Sequence, residues 1–227
     1  MSTGAKPLTR RSALRLRAPE VMRLLKEEYP EATIALRFET PLECVVAVIL
    51  SAQCTDARVN QVTQTLFKKY RSPEDYLAVP EEELANDIRP TGFFNQKAKS
   101  IRGTAKMLVE DFGGRVPQSM VELIRLPGVA RKTANIVLGN VYPEQAARDP
   151  DRGIAVDTHV RRLSNRLGFS KQKDPDKIER DLMKIVPRDE WLSFTYVLIE
   201  HGRAVCKAPT PRCEGCVVNH LCPASRV

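Results

Sequence analysis

"LPGVARKTANIVLGN", residues 126–140, decides how the rest of the chain is read. A proline and a glycine interrupt text that is otherwise helical, and Lys132 follows closely. The stretch Ser119-Met120-Val121-Glu122 reads as a capping box opening a short helix that ends at Leu126. Pro127-Gly128 makes a turn, and a second helix starts near Arg131, with Leu126, Val129, Ile136 and Val137 placed to pin the two together. The second helix would open with unpaired amides and the positive end of its dipole, and Gly128 has no side chain to keep a ligand away. Together these features make a phosphate site. An ordinary corner in a helical bundle, with Arg131 and Lys132 solvated, accounts for the same letters.

Helical periodicity extends outward from this hairpin, with no sustained alternation of strand type, so the fold class is all-α, with about ten short helices. Thr40-Pro41-Leu42-Glu43 supplies an N-cap, a first-turn proline and a capping-box glutamate for an apolar, buried helix running to Gln53. Ser72-Pro73 and Asp174-Pro175 repeat the cap-plus-proline start. Gly113-Gly114 closes a long helix from about Asn95, and Gly168 closes one from Asp157. Residues 142–153 (YPEQAARDPDRG) are polar and hold two prolines, which makes them the best domain boundary.

The chain of 227 residues is long enough for one large domain or two small ones. No apolar run approaches the roughly 20 residues of a membrane span, and no signal-peptide core stands near the start, so an intracellular protein is expected. Net charge is +8, but Lys6, Arg10, Arg11, Arg15 and Arg17 carry five of those charges in a stretch without acids. That leaves a mildly basic body behind a strongly basic leader. A solvated, disordered leader to about residue 18, a phosphate-contacting arm and an organelle transit peptide all suit that composition.

Two further segments carry chemistry. In "IAVDTHVRRLSNRLG", residues 154–168, Asp157 stands where a helix begins, with His159 two residues on. Taken alone, these are an N-cap and a packing histidine. In "CKAPTPRCEGCVVNHLC", Cys206, Cys213, Cys216 and Cys222 follow a C-x6-C-x2-C-x5-C spacing. Four thiols so crowded in an intracellular chain point to metal rather than disulfides, and either zinc or a 4Fe–4S cluster fits the chemistry.

The hairpin with its lysine, the VDTH segment and the cysteine quartet, in this order and spacing, resemble the endonuclease III family of DNA glycosylases. So does "LSAQCTDARVNQVT", residues 50–63. The resemblance runs from about residue 20 to 223. It implies a helix–hairpin–helix glycosylase fold with a six-helix domain at 34–148. A cluster domain would be built from 1–33 and 149–227, with the active-site cleft between the two. It implies Lys132 as nucleophile and Asp157 as second catalytic residue. It assigns Gly128, Ala130 and Arg131 to phosphate binding, and Gln53, Phe93 and His159 to the gap left by an extruded base. It implies a 4Fe–4S cluster on Cys206, Cys213, Cys216 and Cys222. The activity implied is that of a bifunctional glycosylase and AP lyase of base excision repair. It would excise oxidised pyrimidines through a lysine Schiff base and cut 3′ to the lesion by β-elimination. The partner is duplex DNA holding a damaged base or abasic site, and a monomer in the cytoplasm of a bacterial or archaeal cell is expected.

Two departures from the family pattern stand out. The hairpin usually reads Gly-Val-Gly, whereas here it is Gly128-Val129-Ala130, and the linker between Lys132 and Asp157 is a few residues longer than usual. Two rival functions use the same scaffold. An adenine-mismatch glycosylase would lack the hairpin lysine and carry a glutamate in the helix around residues 44–50, where no acid is found. A non-catalytic iron–sulfur DNA-binding module would have no use for Lys132 and Asp157 together.

Overall fold

The computed structural model describes residues 7–227, and every regular element among them is helical. In chain order these are α1 (Leu14–Glu28), α2 (Pro41–Leu50), α3 (Asp56–Lys69), α4 (Pro73–Ala78), α5 (Glu81–Asp87) and α6 (Phe94–Phe112). Then come α7 (Met120–Leu123), α8 (Arg131–Val141), α9 (Pro143–Arg148), α10 (Thr158–Arg166), α11 (Pro175–Leu182) and α12 (Trp191–Ala204). Short 3₁₀ turns cover Arg89–Thr91 and Arg188–Glu190. The short α4 and α7 start at the caps expected for them, Ser72 and Ser119, whereas α5 and α9 were not expected, α9 lying in the polar stretch read as a domain boundary.

The chain forms two compact units, one of Ile34–Arg152 and one of the described residues up to Thr33 together with Gly153–Val227. In the continuous unit, α2 is the central apolar element, with Cys44, Val45, Ala47 and Leu50 fully buried. Thr40 starts it with both bonds of the capping box and Pro41 in its first turn. It ends at Leu50 rather than Gln53, because Ser51 caps it and Gln53 takes a left-handed backbone. Tyr70 and Tyr76, also buried, stack with centroids 4.8 Å apart. The unit extends past the expected boundary at 148. Asp149 Oδ2 accepts the Met120 N–H at 2.6 Å, which fastens this segment to the start of α7, and Arg152 is buried.

In the discontinuous unit, α1 lays Ala18, Val21, Met22 and Leu25 against a core that includes Leu163, Trp191 and Leu198. The disordered leader expected to about residue 18 needs correction: α1 begins at Leu14, and Arg17 is buried. The Arg17 guanidinium donates to Leu167 O at 2.6 Å and Leu221 O at 3.1 Å. A cation counted as part of a solvated run is therefore an internal tie. Lys6, and with it any reading of residues 1–6, lies outside the described residues. No helix among the described residues is long and apolar enough to cross a membrane.

Candidate active site and cysteine pocket

The hairpin sits on α6. Thr104 Oγ1 donates to Pro127 O at 2.8 Å, and the Val129 N–H donates to Leu126 O at 3.0 Å. Gly128 has φ +82, and a Cβ there would stand 2.7 Å from Ser100 Cβ. Backbone conformation and close packing therefore both require glycine at this position. Leu126, Val129, Ile136 and Val137 are buried as expected.

Ala130, where the family has glycine, is extended at φ −79 and ψ 170, so alanine is unstrained there. Its side chain provides no cap for α8, so the first-turn amides have no side-chain acceptor at the N-cap. Arg131 donates to Asp151 O at 2.9 Å. Lys132 is half-buried in the first turn of α8, just ahead of Thr133–Gly139, which are buried.

Gln53 and Phe93 belong to the same unit. Both are exposed, Phe93 at 64%, and they are the only non-glycine residues with positive φ among the described ones, at 51° and 48°. Left-handed backbone costs such residues about 1–2 kcal/mol each, so other contacts must hold these two turns. An exposed phenyl ring in a strained turn excludes a core role for Phe93. Phe94 is the more buried neighbour and lies under the Arg89 guanidinium.

In the other unit, Asp157 caps α10, with Oδ1 accepting the Val160 N–H at 2.7 Å. Ile154, Ala155 and Val156, which lead into it, are buried, which fixes where the carboxylate emerges. His159 is half-buried, and its Nδ1 lies 3.1 Å from Arg162 Nη2. Arginine only donates, so Nδ1 accepts and the ring proton sits on Nε2. Burial, helped by Arg162 and Arg203, lowers the His159 pKa and favours that neutral ring. Gly202 makes the packing possible, since a Cβ there would meet His159 Nδ1 at 2.6 Å. Arg162 also donates to Gly202 O and Cys206 O, which ties α10 to the cysteine segment.

Cys206, Cys213, Cys216 and Cys222 line one pocket, walled by apolar groups that include Leu163 and Val218. Arg166 Nη1 approaches Cys206 Sγ at 3.2 Å, and His201 Nε2 lies 3.4 Å from Cys216 Sγ. His201 is itself held by the Tyr29 hydroxyl, 3.1 Å from Nδ1, and burial lowers its pKa to about 4. Burial pushes the Cys216 thiol up to about 11 and raises that of Cys222. The four thiols share one apolar pocket, with an arginine N–H directed at one sulfur, a donor set that suits a thiolate-bound metal centre.

Arg162, Gly202, His201 and Arg17 were not legible in the sequence, because each acts through a contact with a residue far away in sequence that no local pattern marks.

Residues 46–188 match the profile of the HhH-GPD superfamily base excision DNA repair proteins. That match defines the class and spans both the hairpin and the VDTH segment. Endonuclease III of Synechocystis sp. is 48% identical over 96% of this chain and 97% of its own length. A solved non-covalent endonuclease III–DNA complex superposes with a TM-score of 0.88 at 42% identity, covering 95% of this chain and 98% of that one. A trapped endonuclease III–DNA covalent intermediate matches with the same TM-score, identity and coverage. The chain belongs to the endonuclease III family.

Proposed function

We propose that Lys132 is the nucleophile and Asp157 its charge-stabilising partner in this DNA glycosylase and AP lyase of base excision repair. One observation carries the proposal. A half-buried lysine stands in the first turn of a helix that has no side-chain cap, directly after a turn that only glycine can make. The same hairpin belongs to a chain 42% identical to an endonuclease III trapped covalently on DNA.

The α8 amides and the positive end of its dipole would hold a DNA phosphate, with Gly128 and Ala130 too small to obstruct it. Gln53, Phe93 and His159 would occupy the gap left when the damaged nucleotide leaves the stack. The neutral Lys132 amine attacks C1′ of the deoxyribose as the C1′–N bond breaks, and the base leaves with its electron pair and takes up a proton. Asp157 stabilises the positive charge that builds on the sugar. Opening of the ring and loss of the amine proton give the C1′ imine, which acidifies the C2′ hydrogen. Removal of that proton expels the 3′ phosphate, and water then hydrolyses the imine to free Lys132. Oxidised pyrimidines are the proposed substrates, and the bacterial cytoplasm the proposed location.

Cys206, Cys213, Cys216 and Cys222 would hold a 4Fe–4S cluster whose contribution is to fold and charge the surrounding loop. Binding it would release thiol protons that burial otherwise retains. Protein purified without oxygen is expected to contain iron and acid-labile sulfide and to absorb broadly in the visible. Stoichiometric zinc without iron would overturn this assignment.

The catalytic proposal is tested with duplexes carrying either one abasic site or one defined oxidised base. Expected are nicking of the first, and base release with nicking of the second. Release of adenine from a mismatch without nicking would support the monofunctional alternative instead.

A further inference from the structure

We infer that Lys97 is a positioning residue of the DNA-reading surface, its ammonium capping two helix ends at once and holding Gln53 and Phe93 in fixed register. The inference rests on the gap-filling role proposed above for those two residues.

Lys97 is on the first turns of α6 and is 5% exposed. Its Nζ lies 2.8 Å from Leu50 O and 2.8 Å from Thr91 O. Leu50 is the last residue of α2, and Thr91 is the last of the 3₁₀ turn Arg89–Thr91. Carbonyls at such ends lack an intrahelical donor and form the negative pole of the helix, so a cation is the natural cap. Here one cation caps two ends that lie far apart in sequence. Gln53 follows the first end within three residues and Phe93 follows the second within two, and both have left-handed backbones. Strained conformations persist only where the surroundings over-determine them. Local bonds such as Ser51 Oγ to Val48 O shape one turn. The Lys97 ammonium joins that turn to the other.

A methionine would fill the same volume without taking a charge out of water, which is the better solution if only packing mattered. The partners of Lys97 are carbonyls rather than a carboxylate, so the charge is spent on placing backbone. The α6 backbone helps, since the Lys97 N–H donates to Phe93 O at 3.0 Å.

The test compares Lys97→Met, Phe93→Ala and the double variant on two substrates: a duplex with an oxidised base, and the same duplex with a preformed abasic site. Single-turnover base excision is expected to fall about 30-fold for each single variant, while abasic-site cleavage falls less than about threefold. The double variant is expected to match the worse single variant, because both act through one extrusion step. If Phe93→Ala shows this split and Lys97→Met weakens both substrates equally, Lys97 is a core residue only and the inference fails while the gap-filling role stands. If Phe93→Ala shows no split, that role fails, and the inference fails with it. Should the methionine variant not fold, Lys97→Gln keeps a polar group there but loses the charge and is one bond too short to tie both carbonyls. A substrate split in the glutamine variant supports the inference, and equal losses or no loss overturn it.

Discussion

Lys132→Gln is expected to abolish borohydride trapping of the enzyme on abasic DNA and to lower base release and nicking by a factor on the order of 10³ or more. Binding to a non-cleavable abasic-site analogue should change only a few-fold. The separation follows from the construction of the hairpin. Its geometry is held by Gly128 against Ser100, by the Thr104 bond to Pro127 O and by Val129 bonding to Leu126 O, none of which uses the lysine side chain. The backbone amides proposed to hold phosphate therefore survive the substitution. A covalent adduct from the glutamine variant, resolved by peptide mapping, would move the nucleophile to another amine.

Asp157→Asn should lower base excision about 10²–10³-fold, because removing a charge aimed at a developing cation removes transition-state stabilisation. Trapping on a preformed abasic site should persist, since that step needs the amine and no departing base. Asparagine caps helices about as well as aspartate, so the Val160 bond and the thermal stability should be retained. Asp157→Ala gives the contrast, with a further loss of about 1 kcal/mol in unfolding free energy. Equal excision by the aspartate and asparagine proteins would leave Asp157 as a cap alone.

What could be read from the letters was local. Thr40 with Pro41 and Glu43, Ser72 with Pro73, and the Leu126–Val129 turn announce themselves within a few residues, because a cap or a turn is made by neighbours in sequence. Lys132, Asp157 and the four cysteines were legible only jointly, through three spaced segments resembling one family. The left-handed backbone of Gln53 and Phe93 was not legible, since neither is a residue type that favours that region. Arg17 and Lys97 were misjudged or overlooked for the same reason: a cation buried on distant carbonyls reads, in one dimension, like any surface charge.

The two ties of Arg17, to Leu167 O and Leu221 O, also set an order of events on the ribosome. Helix α1 emerges first, but the partners of its guanidinium are made 150 and 204 residues later. At about 5–20 residues per second, the later partner arrives roughly 10–40 s behind. Meanwhile the whole of Ile34–Arg152 is synthesised and can close on its own as an inserted module. Until the residues from Ile154 onward are made, the apolar stripe of Ala18, Val21, Met22 and Leu25 has no native surface to meet. While the inserted unit is being made, the nascent chain thus carries an unsatisfied amphipathic helix, a target for chaperones and proteases that is covered only as the later part of its own unit is synthesised.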